Sequence, residues 1–132
     1  MPNFSRTVTV SSDIDSSFVF LSDFRNLEKW AEGDEGELIT KEPLRQGSVF
    51  KVKTHFNNKP REYDYEIVEW GPPLRVSLQA STSIFTIVDT IFLSANSRGT
   101  EVTYSVDIKY KFPFFILGIF VGTIFNLSLI HI

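Results

Sequence analysis

Two histidines, no cysteine and one carboxylate set inside an apolar run are the residues of this chain from which chemistry could be built. His55 alternates with Lys51 and Lys53, which assigns it to a solvated strand face. His131 stands far from it, in an apolar C-terminal segment, so the pair makes no metal motif. The absence of cysteine removes disulfides and thiolate-ligated metals. The acidic stretch AEGDEGE, starting at Ala31, lacks the ligand spacing of a calcium loop and reads as a solvated loop. There is no G-x-S-x-G, no H-E-x-x-H and no glycine-rich phosphate loop. The sequence therefore assigns no catalytic residue, no metal and no cofactor.

Asp89 is the exception to the local pattern. It interrupts Phe85, Ile87, Ile91 and Leu93 on one face of a strand. If that face is buried, the charge needs a partner or a raised pKa. Two readings stand: a strand carboxylate paired or near an edge, and a polar anchor within a cavity. Tyr63, Tyr65 and Tyr104 also fall on apolar faces. Each is either a core ring whose hydroxyl reaches a polar atom or a group that orients a ligand. Trp30 reads as a packing anchor that closes helices onto a sheet.

The elements that must position these residues follow from periodicity. FSRTVTV, from Phe4, is a strand. Ile14, Phe18 and Leu21 recur at helical spacing after the capping oxygens of Ser12, Asp13 and Asp15, predicting a helix over 14–22. NLEKW predicts a further short turn capped by Asn26, and GELITKE a short strand. GSVFKVKTHF sets Phe50, Val52, Thr54 and Phe56 against Lys51, Lys53 and His55, so one side is wet. REYDYEIVEW sets Tyr63, Tyr65 and Ile67 against Glu62, Asp64 and Glu66. LRVSLQA sets Leu74, Val76, Leu78 and Ala80 against Arg75, Ser77 and Gln79. SIFTIVDTIFL is apolar on both faces and predicts an interior strand. TEVTYSVDIKY puts Val102, Tyr104, Val106, Ile108 and Tyr110 on one face. Short turns join the later strands, which predicts an antiparallel meander in one domain.

At 132 residues the chain can enclose a real core, and 42% hydrophobic with 22% charged residues is a globular composition. Thirteen phenylalanines suggest a thick core or a greasy cavity wall. The formal net charge is -3 and no Lys/Arg run occurs, which argues against a nucleic-acid partner. The N-terminal MPNFSRTVTVSSD has no apolar stretch of signal-peptide type, pointing to a cytoplasmic location.

Four strings, in order, resemble the START-like superfamily, the polyketide cyclase/dehydrase and lipid-transport family also known as SRPBCC. The first carries Leu21, Asp23, Asn26 and Trp30. The second, PLRQGSVF, carries Pro43, Gly47 and Ser48. The third, VEWGPPLRVSL, carries Val68, Glu69, Pro72, Pro73 and Arg75. The fourth, SRGTEVTY, carries Gly99, Thr100, Val102 and Thr103. The resemblance spans roughly residues 4–125. It implies an α+β helix-grip fold over 1–132: a curved antiparallel sheet of six to seven strands, two short helices after the first strand, and a C-terminal helix across the concave face. It implies a cavity between sheet and helix, and members that bind lipids, quinones, hormones or polyketides, some of them enzymes.

From Phe112 to Ile132 the chain carries no formal charge. Pro113 suits a first helical position, so a helix is expected from about 113. Such a helix would run about 30 Å, the thickness of a bilayer core as well as of a small domain. Gly118 and Gly122 share a stripe that suits close packing on a sheet and equally a membrane dimer. The sheet decides between these readings, because its apolar face needs a cover. LSLIHI has no polar face and no stop signal, so the helix is expected to be cut short. The expected function is carriage of a small hydrophobic molecule, lined by Phe50, Val52, Thr54, Tyr63, Tyr65, Val76, Asp89, Val102, Tyr104, Val106 and Phe120, with Leu74 on the same inward wall. An aromatase/cyclase-type enzyme using the same cavity, and a membrane-anchored domain held by 113–132, are the alternatives.

Overall fold

The computed structural model describes residues 3–56 and 58–111. The side chain of Phe56 and the segment 112–132 lie outside the described residues, and with them the expectations placed on Phe56, Pro113, Gly118, Gly122, Phe120 and His131. The elements are β1 (Asn3–Val10), α1 (Ile14–Ser22), a 3-10 helix (Phe24–Lys29), β2 (Glu35–Leu38), β3 (Val49–Phe56), β4 (Lys59–Gly71), β5 (Arg75–Ser81), β6 (Phe85–Asn96) and β7 (Gly99–Tyr110).

Seven strands form one antiparallel sheet in the order β1-β7-β6-β5-β4-β3-β2. From β2 to β7 each strand pairs with its sequence neighbour, through short turns from β3 onward. β1 then pairs with β7, with Val8 opposite Val102. Two residues make that junction possible. Gly99 has φ +133, where side chains are disfavoured, and a Cβ there would stand 2.1 Å from the Val10 carbonyl oxygen. The Thr100 hydroxyl donates to the Ser12 carbonyl at 2.8 Å and fixes the chain as it leaves β1.

The alternation seen in the sequence is the burial pattern of the sheet. Phe50, Val52, Tyr65, Ile67, Val76, Leu78, Val102, Tyr104 and Val106 are buried on the concave face. Lys53 and His55 on β3 face solvent. A β-bulge between Ile67 and Glu69 shifts the register of β4 against β5. Beyond it Trp70, not Glu69, joins the concave face and packs edge-to-face on Phe18 at 5.2 Å between centroids.

The helices cover one end of that face. Asp13 caps α1, accepting from the Ser16 amide at 2.7 Å. The 3-10 helix is capped by Asp23, not by Asn26 as the sequence suggested. Asn26 instead donates to the Phe20 carbonyl, tying the 3-10 helix to α1. Phe18, Leu21, Phe24, Leu27 and Trp30 descend from these helices into the core. The 3-10 helix lies so close to β2 that a Cβ at Gly36 would stand 1.9 Å from the Phe24 carbonyl oxygen. Helices thus cover one end of the sheet, with Trp30 at the contact.

Leu74 corrects the inward list. It is 57% exposed, because it sits in the turn before β5 rather than in the strand. From Arg75 onward, where pairing to β4 begins, Val76, Leu78 and Ala80 are buried as the alternation expects, and Ser77 on the other face is buried as well, bonded to Glu69 and Thr90.

Candidate functional site

The concave face is built from rows of residues that the register brings side by side. One row runs Ile67, Leu78, Asp89, Val106, Phe4 across β4, β5, β6, β7 and β1. Asp89 is thus the carboxylate in an otherwise apolar row on an interior strand, and it is 6% exposed. The edge position is thereby removed, while a paired strand carboxylate and a polar anchor both stand. Tyr104, diagonal to Asp89 across the β6–β7 pair, donates its hydroxyl to Asp89 Oδ2. Oδ1 of the same carboxyl has no hydrogen-bond partner among the described residues.

Burial pushes Asp89 up to about 7, against the Tyr104 hydrogen bond, and the negative charge of Asp34 adds to the rise. Asp34 comes from the loop ahead of β2, inside the stretch that the sequence marked as solvated. It turns inward and accepts from the Thr54 hydroxyl at 2.5 Å. Its own pKa is raised by burial, and the Thr54 bond and the charge of His55 oppose the rise. Tyr65 and Tyr104 are held well above the ordinary tyrosine range, first by burial and then by Asp89. Tyr63 is half-buried, raised by burial, and packs near Phe85 at 6.1 Å.

Aromatic rings enclose this polar pair. Trp30 packs edge-to-face on Tyr104 at 5.5 Å, and Phe24 does the same on Tyr65 at 5.8 Å. Trp30 Nε1 is buried and, like Asp89 Oδ1, has no partner among the described residues. A cleft of about 470 Å³ opens beside the β3–β4 hairpin, lined by Gly33, Glu35, Lys53, Thr54, His55, Pro60, Arg61 and Glu62. Thr54 belongs both to this cleft and to the Asp34 contact. No cluster of three or more potential metal ligands occurs among the described residues.

Of the residues singled out in the sequence, Phe50, Val52, Tyr65, Val76, Asp89, Val102, Tyr104 and Val106 are buried on one face, with Thr54 and Tyr63 half-buried at its margin. Phe120 lies outside the described residues. Sequence reasoning missed Asp34, and saw Trp30 as packing without its unpartnered nitrogen. The available signal was Thr54, a hydroxyl on an apolar face that needs a polar neighbour.

No family model matches the chain, and no curated protein matches it in sequence. Its fold does match solved structures. A START superfamily protein from Mycobacterium smegmatis superposes with TM-score 0.70 at 12% identity, covering 84% of this chain and 79% of that one. Ara h 8.0201 superposes with TM-score 0.61 at 16% identity, covering 85% of this chain and 79% of that one. The di-domain ARO/CYC StfQ of the steffimycin biosynthetic pathway gives TM-score 0.64 at 10% identity, covering 83% of this chain and 37% of that one. At these identities the likeness concerns the fold. The chain has a START-like (SRPBCC) α+β fold, with a curved seven-stranded antiparallel sheet.

Proposed function

We propose that this protein binds and carries a small, largely hydrophobic molecule against the concave face of its sheet. The observation that carries the reading is a wall of buried apolar side chains interrupted by one carboxyl with a free oxygen. Apolar burial at about 25 cal/mol per Å² would supply affinity, and the polar atoms orientation. Phe50, Val52, Val76, Val102 and Val106 serve as the wall. Thr54, Tyr63, Tyr65, Asp89 and Tyr104 serve as its polar points, with Phe120 as a further contact. The START-like fold supports the reading, since lipids, quinones and polyketides are the ligands that the resemblance implies. No helix among the described residues is long and apolar enough to cross a membrane. We assign the protein to the cytoplasm, with membrane contact through 113–132 as the alternative.

The test is extraction of the natively purified protein followed by mass spectrometry. One or a few apolar molecules near one equivalent are expected. Absence of any such molecule, with no thermal stabilisation by lipids, quinones or aromatic polyketides, overturns the reading.

A second reading is favoured by the Asp89–Tyr104 pair itself. A buried carboxyl that burial pushes up to about 7, bonded to a phenol, is suited to moving a proton in an aromatase/cyclase-type reaction. Turnover of a linear poly-β-ketone, lost in Asp89→Asn, would favour it over simple carriage.

A further inference from the structure

Among the described residues, four buried side-chain atoms have no hydrogen-bond partner, and two of them belong to side chains that touch Tyr104. One is Asp89 Oδ1, whose carboxyl accepts from the Tyr104 hydroxyl through its other oxygen. The second is Trp30 Nε1, on the ring packed against Tyr104. A buried polar atom without a partner is costly, so a site that keeps two of opposite character is shaped for a guest that satisfies them.

The chemistry of that guest can be narrowed. An anionic head, carboxylate or phosphate, would meet the like charges of Asp89 and Asp34. An ammonium would bring three donors to a single free carboxylate oxygen and would lose its hydration to do so. A carbonyl oxygen only accepts, so it answers the carboxyl in its protonated form alone. A hydroxyl donates to the ionised carboxyl and accepts from the protonated one. Trp30 Nε1, the other unpartnered atom, is a donor, so a group that both donates and accepts suits the two atoms, and a hydroxyl is such a group. Asp34 accepts from Thr54, and Asp89 Oδ1 is the buried carboxylate oxygen without a partner among the described residues.

We infer that the carried molecule is an alcohol or phenol whose hydroxyl is held by Asp89 Oδ1, beside the Tyr104 and Trp30 rings. This rests on the carrier reading above and specifies its ligand class. The rest of the molecule is apolar, matching Leu78 and Val106, the residues that flank Asp89 in its row.

The experiment uses the delipidated full chain at pH 8 and two matched pairs of probes: dodecan-1-ol with 1-methoxydodecane, and 2-naphthol with 2-methoxynaphthalene. Each ether keeps the apolar body and removes the donor. Calorimetry should show at least one alcohol bound about tenfold or more tighter than its ether, as expected for a hydrogen bond to a charged group. Asp89→Ala should abolish that ratio, with alcohol and ether then binding alike. If Asp89→Ala does not fold, Asp89→Leu, which replaces the carboxyl by an apolar group of similar size, serves the same purpose. Equal binding of alcohol and ether by the wild-type chain overturns the hydroxyl assignment and leaves carriage of apolar molecules standing. Failure of all four probes to bind removes the carrier reading, and this inference with it.

Discussion

Tyr104 and Asp89 lie diagonally across the β6–β7 pair, and the phenol donates to one carboxyl oxygen while the other has no partner among the described residues. The bond is the main interaction that lowers the pKa of a carboxyl otherwise raised by burial. Tyr104→Phe should therefore raise the Asp89 pKa further and destabilise the domain by about 2 kcal/mol at pH 8, and less at pH 5. Carboxyl-detected NMR titration and urea unfolding at both pH values check this. An unchanged Asp89 titration would count against the bond.

Asp89 also sets the sign of the pH dependence. Its folded pKa, about 7, exceeds its ordinary value of 3.8. Between those values the folded state holds the proton more firmly than the unfolded state. The contribution of Asp89 should thus be full below about pH 4, fall as pH rises through the folded pKa and level off above it, with the lowered pKa of Asp13 acting in the opposite direction. The span is roughly 4 kcal/mol for Asp89, and Asp34, also raised, adds in the same direction. Asp89→Asn should flatten the slope in urea midpoints between pH 4 and 8. A wild-type chain whose stability rises across that range would contradict the assignment.

Gly99→Ala should be among the most damaging small substitutions. The added Cβ meets the Val10 carbonyl oxygen at 2.1 Å and the backbone φ is +133. A loss of about 3 kcal/mol is expected, from steric overlap and backbone strain together. Thr100→Val, which removes only the bond to Ser12, should cost about 1 kcal/mol. Thermal and urea unfolding of both variants would decide the ranking.

Leu74 and Val76 provide an internal comparison. Leu74→Ser should change stability by no more than about 0.5 kcal/mol, because the side chain is exposed. Val76→Ala should cost about 2 kcal/mol, because Val76 is fully buried. Equal effects would mean that Leu74 is covered in solution.

Much of the fold was legible in the sequence, for a physical reason. A half-wet sheet writes its burial into a period of two, so Phe50, Val52, Tyr65, Val102, Tyr104 and Val106 announced their face. Leu74 escaped because alternation cannot mark where a turn ends and a strand begins. Asn26 and Asp23 both had capping chemistry, and only the backbone path chose between them. Within the site, Asp89 was legible because it broke a pattern. Asp34 was not, because a carboxylate in an acidic loop breaks none. Its inward turn depends on Thr54, twenty residues further on, a contact that no local signal encodes.

The bulge at Val68 gives strand β4 something like a reading frame. Upstream of it the odd-numbered residues Tyr63, Tyr65 and Ile67 face inward; downstream, the even-numbered Trp70 does. One supernumerary residue shifts the frame and so places an indole, instead of the Glu69 carboxylate, against Phe18 under the helices. Deleting Val68 would be a frameshift in three dimensions: composition almost unchanged, yet Glu69 turned toward the core and Trp70 toward water. Length variation at this point would alter the polarity of the floor beneath α1 without replacing a single side chain there.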